Sequence, residues 1–218
     1  MHRFFRTALA LCLAVPLACL AGTVQVTVLD KEGKPVPDAV VVLTPSAGGN
    51  PKTPLATQAT ILQQKMRFAP NVTLVGVGAK GTFINNDPWE HHVRGSAAGA
   101  LNFESGSSGG FEFRLDGKPD NKPAKQAEVV FSKAGPVLLG CHLHASMKGF
   151  VYVSDSPWAE VTPESGVAAF DDVPNGPLFV RVWHGEQVID LPAQQLTVGA
   201  APASLTVKLG IVPRRKRV

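Results

Sequence analysis

Cys141, His144 and Met147 recur at three-residue intervals within residues 135–153, GPVLLGCHLHASMKGFVYV, where a short loop separates two apolar runs. A thiolate and imidazoles in a trigonal plane, with a weak thioether beyond it, form an electron-transfer site for one copper ion. Zinc accepts a cysteine and histidines, but a thioether is not among its usual donors. Mononuclear copper is the better fit. The second imidazole has to come from elsewhere in the chain. Residues 85–93, NNDPWEHHV, follow the strand-like run 81–84 and supply a pair, of which His91 is assigned as the ligand and His92 is its rival.

A lone cysteine is usually a small buried hydrophobe, and a lone methionine usually fills a gap in a core. The spacing argues otherwise here. Apart from Met1 the chain has only Met66 and Met147, and the second stands three residues past a histidine that itself stands three past a cysteine. Neighbours along a strand point to opposite faces. His92 and His142 are therefore expected to face outward or to support the ligands.

The loop resembles the ligand loop of the cupredoxins, and Cys-x-x-His-x-x-Met matches the short loop of the amicyanin-type members. Asn85, His91 and Val93 fall on the family's upstream pattern, whereas His92 stands where an Asn usually ties the two ligand-bearing loops together. The paired His-His-Val and the Gly-Cys-x-x-His loop are also similar to plastocyanin-like methylamine utilisation proteins. The resemblance implies a Greek-key sandwich and one type 1 copper ion held by His91, Cys141, His144 and Met147. It also implies that His144, on the exposed part of the loop, is the electron port. Leu139, Gly140, Ala145 and Phe150 are expected to form a dry shell around the site.

Residues 1–21 read as a secretory signal: Arg3 and Arg6 give the charged start, residues 8–20 are apolar, and Cys19-Leu20-Ala21 is a small-residue cleavage site. No other stretch is long enough to span a membrane. The expected mature chain is exported, to a periplasm or an equivalent compartment. Losing the signal removes Cys12 and Cys19 and leaves Cys141 as the single thiol. In an oxidising compartment such a thiol is a liability unless it is a ligand. The formal charge of +4 drops to +2 without Arg3 and Arg6, and Arg214, Arg215, Lys216 and Arg217 crowd the terminus, so the body is near −2. The basic balance is no argument for nucleic acid. The tail, residues 211–218, is expected to be solvated.

The elements that must position these ligands read as short strands. Val24, Val26 and Val28 alternate with polar residues, residues 30–33 turn, and residues 39–43 form a second apolar run, which together predict a β-hairpin. Residues 46–60 read as a linker, followed by strands at 66–68, 73–77 and 82–84; residues 111–115, 128–131, 137–139 and 150–153 continue the pattern. No long stretch has helical periodicity. The chain is expected to be all-β.

Residues 28–39 and 166–176 resemble two parts of the carboxypeptidase regulatory-like, or transthyretin-like, domain. The resemblance implies a sandwich made of residues 22–46 and 156–210, interrupted by a cupredoxin at 57–155. Trp183-His184, at the end of a strand, is expected to pack through Trp183 and expose His184.

The expected function is that of a one-electron carrier, with a redox partner the sequence does not name. The alternative is a copper-binding or trafficking protein. A single complete ligand set argues against an enzyme.

Overall fold

The computed structural model describes residues 21–98 and 110–212; the expected signal, Ala21 apart, and the tail beyond Val212 lie outside them. The described residues are all-β, with sixteen strands and no helix. One sandwich contains β3 (Gln58–Gln64), β4 (Arg67–Ala69), β5 (Val72–Gly76), β6 (Ala79–Asn85), β7 (His91–Ala97), β8 (Phe111–Leu115), β9 (Gln126–Phe131), β10 (Gly135–Cys141) and β11 (Lys148–Ser154). Its sheets run β4-β3-β6-β9 and β5-β11-β10-β7-β8. The other sandwich draws strands from both sides of that segment: β1 (Ala21–Leu29) and β2 (Val40–Pro45), then β12 (Trp158–Val161), β13 (Val167–Pro174), β14 (Gly176–Trp183), β15 (Gln194–Val198) and β16 (Ala203–Lys208). Its sheets run β13-β1-β16 and β12-β2-β14-β15.

The four sheets stack as layers with an apolar core in each gap. Val24, Val26 and Val28 of β1 meet Val41, Leu43, Leu178 and Val180 in one outer gap. Ile61, Phe83 and Phe131 meet Val93, Leu139, Cys141 and Val151 in the other. Between the sandwiches, Val40, Val42, Ala159 and Trp183 press on Val72, Phe150 and Tyr152. Trp183 packs edge-on to Phe150 at 5.2 Å between ring centroids and leans on Tyr152 at 5.5 Å. Each large side chain buried in this way stabilises by roughly 1.5–3 kcal/mol. The middle gap is therefore a third core rather than a loose contact between domains.

The predicted hairpin of residues 23–43 does not form. β1 and β2 belong to different sheets and face each other across the first core. The reason is visible in burial: β1 alternates buried and open residues, as an outer strand must, whereas Val40 to Leu43 are all buried. A strand with apolar partners on both faces belongs to an inner layer. The predicted linker also ends early, because its last residues open β3, a polar strand buried fully only at Ile61 and Gln63.

Candidate metal centre

The centre is built on the ends of β6, β7 and β10. β7 opens at His91, β10 closes at Cys141, and the two strands pair with Cys141 opposite Val93. Alternation sends His91 and Cys141 into the core, where they are 0% and 5% exposed. His92 and His142 take the other face of the same sheet.

Asn85 ends β6 fully buried and organises the turn that leads to His91. Its amide donates to the carbonyls of Trp89, Leu115 and Asp116 at 2.9–3.0 Å, and its Oδ1 accepts the Asp87 N–H at 3.0 Å. Gly117 lets the 116–118 segment close on this turn, since a Cβ there would run into the Pro88 backbone. The Lys118 N–H then donates to the Asp87 carbonyl at 2.7 Å.

Asp87 connects this turn to the ligand. Its Oδ2 lies 2.9 Å from His91 Nε2 and accepts the Met66 N–H at 2.9 Å, while its Oδ1 accepts the Lys65 N–H at 2.5 Å. Burial raises the Asp87 pKa, but the hydrogen bonds from the Met66 N–H, the His91 ring and the Lys65 N–H outweigh it and hold the carboxyl below its ordinary value. An anionic Asp87 calls for the proton on Nε2. That leaves Nδ1 of His91 with its lone pair directed inward.

Three donor atoms converge there. His91 Nδ1 and His144 Nδ1 are 3.1 Å apart, and Cys141 Sγ lies 3.7 Å from the first and 3.5 Å from the second. A point equidistant from all three is about 2.0 Å from each, the length of a metal–imidazole bond. The donor set suits copper. Met147 is 2% exposed in the same core cluster as Cys141, and its N–H donates to the His144 carbonyl at 2.9 Å, closing the loop. His144 is partly exposed, with Leu143 and Trp89 beside the loops at 48% and 43% exposure.

The expected surroundings need correction. Phe150 does not line the centre but turns into the core between the sandwiches, because Gly149 and Val151 take the inward positions of β11. Ala145 is exposed and Gly140 turns toward Arg94 on the other face, so of the expected shell only Leu139 lies in the core with Cys141, together with Val93 and Met147. His184 is likewise not exposed. It is 7% accessible, its Nδ1 accepts the Glu186 N–H at 3.2 Å, and burial lowers its pKa.

Sequence reasoning passed over two residues. Asp87 carried a signal in its place between the family-pattern Asn85 and Pro88; Glu112, whose carboxylate contacts His92 Nε2 on the outer face, carried none, because that contact exists only through the pairing of β7 with β8.

No protein-family profile and no curated protein matches the chain. Among solved structures it is similar to a copper-containing nitrite reductase from Thermus scotoductus SA-01, at 20% identity and a TM-score of 0.34 over 51% of this chain and 25% of that one. It is also similar to an oxidised amicyanin mutant, at 20% identity and 0.34 over 52% and 98%. A purple cupredoxin from Nitrosopumilus maritimus is similar at 20% identity and 0.31 over 44% and 99%.

Proposed function

We propose that this chain is an exported type 1 copper protein that carries single electrons, with His91, Cys141, His144 and Met147 as the ligands of one ion. The convergence of Cys141 Sγ with the two Nδ1 atoms is the observation that carries this reading. Copper bound there would supply a Cu(I)/Cu(II) couple. The chain's own part is rigidity. Asn85 and Asp87 fix the His91 ring, β7 and β10 fix the backbones of His91 and Cys141, and the Met147–His144 hydrogen bond fixes the loop. Leu139 and Val93 exclude water from the thiolate side. His144, at the open end beside Leu143, is the group through which a partner would couple. In this reading residues 22–46 and 156–210 are one supporting sandwich into which residues 57–155 are inserted, and the protein is not an enzyme.

The visible spectrum of copper-loaded protein tests the proposal. An intense thiolate-to-copper charge-transfer band is expected, lost in Cys141→Ser and in His91→Ala but kept in His92→Ala. A colourless Cu(II) complex, or a band that survives Cys141→Ser, overturns it. Rapid reversible electron exchange without loss of metal separates a carrier from a trafficking protein, which would hand the ion on.

A further inference from the structure

The outer face of the sheet holds a second cluster. One ligand atom from each of His92, Glu112 and His142 lies within 4.8 Å of the others. The three residues come from consecutive strands and the loop beyond them: Glu112 from β8, His92 from β7, and His142 immediately after β10. Backbone pairing fixes them. His92 lies opposite Arg114 and Arg94 opposite Glu112, and the His142 N–H donates to the His92 carbonyl at 3.0 Å. The Glu112 carboxylate contacts His92 Nε2 with one oxygen and stands 3.9 Å from His142 Nε2 with the other. The two imidazole rings are 4.7 Å apart at 47°.

We propose that His92, Glu112 and His142 bind a second, divalent first-row transition ion. Two imidazoles and one carboxylate are the ligands of catalytic zinc and of open-sided iron sites, where three protein ligands leave coordination positions for water or a small molecule. The face is open enough for that: His92 is 16% exposed at its side chain, His142 42% and Glu112 56%. Arg94 lies along this face over Gly140, and Arg114 is engaged by Glu90 at 2.6 Å. Among the three ligands Glu112 is the one carboxylate and supplies the negative charge. The two sites share their backbone. His91 is bonded to His92 in β7, and Cys141, the last residue of β10, is bonded to His142, so each pair of neighbours gives one residue to each face.

The experiment uses the full chain, reduced and loaded with Cu(I), then titrated with Zn(II) while bound metal and the histidine ring signals in NMR are followed. One Zn(II) per chain is expected, shifting His92 and His142, with affinity reduced roughly tenfold or more in each of His92→Ala, His142→Ala and Glu112→Gln. No zinc uptake, or uptake unchanged in all three variants, overturns the proposal. So does uptake that shifts only other histidines. Failure of the first centre appears separately, as absence of bound Cu(I), and leaves the His92 and His142 signals readable.

Discussion

The carboxylate of Asp87 joins His91 to a turn more than twenty residues away, accepting from the His91 ring and from the backbone N–H groups of Lys65 and Met66. A charged acceptor behind an imidazole both fixes its tautomer and strengthens it as a donor. Asp87→Ala is expected to weaken copper binding about 10–100-fold, measured by competition with a chelator. Affinity unchanged in that variant would mean that packing alone orients the ring.

Lys65 and Met66 have φ of 54° and 57°, both in the left-handed region, in the two-residue turn between β3 and β4. Residues with a Cβ pay about 1–2 kcal/mol there, and such turns favour Asn-Gly or Gly-Gly. Met66 is 44% exposed and loses little burial on truncation. Met66→Gly is expected to raise stability by about 1 kcal/mol, seen as a higher urea midpoint with the visible band intact. A lower midpoint would show that the Met66 side chain matters more than its backbone.

Trp183 is the side chain through which the supporting sandwich grips β11. Trp183→Ala is expected to cost about 3–5 kcal/mol and to make the segment after Asp155 more sensitive to protease. Since the ligands stand in a different core, the copper band should survive. Loss of the band together with the stability would show that the middle core governs the loop.

His184 gives the protein a pH dependence. Burial is the main effect and lowers its pKa; Glu186 and Asp38 pull it up in part, and Lys148 pushes it down. An unfolded histidine titrates near about 6.5, so on acidification the unfolded chain takes its proton first. Stability is full above that value and falls as pH drops below it toward the folded pKa. His184→Gln should flatten this part of the curve, read from urea midpoints between about pH 7.5 and 5.5. An unaltered slope would assign the effect to other groups.

What could be read from the sequence follows the range of each interaction. Cys141, His144 and Met147 stand within seven residues, so their spacing alone brings them together. Alternation sends only one of His91 and His92 inward, and the placing of Asn85 and Val93 around the pair favours His91. Glu112 was out of reach, since only the pairing of β7 with β8 brings it to His92. The assumed turn-back of β1 onto β2 failed for a related reason: two apolar runs joined by Asp30-Lys31-Glu32-Gly33 look alike whether they pair in one sheet or face each other across two. His184 reads as exposed at a strand end because groups that face it, Asp38 and Lys148, are distant in sequence. Phe150 misled in the same way.

β1 enters its sheet between β13 and β16, with Val24 opposite Ala203 in the parallel pair. Closing that pair encloses nearly the entire chain, whereas every strand around Cys141 lies within residues 58–154. Long-range pairing is slow, and a chain emerging from its N-terminus completes nearer contacts first. The metal-side sandwich is therefore expected to assemble before its support. In that interval Phe150 and Tyr152, which the second sandwich covers in the finished fold, would face water on a completed sheet and offer newly made molecules a surface on which to adhere.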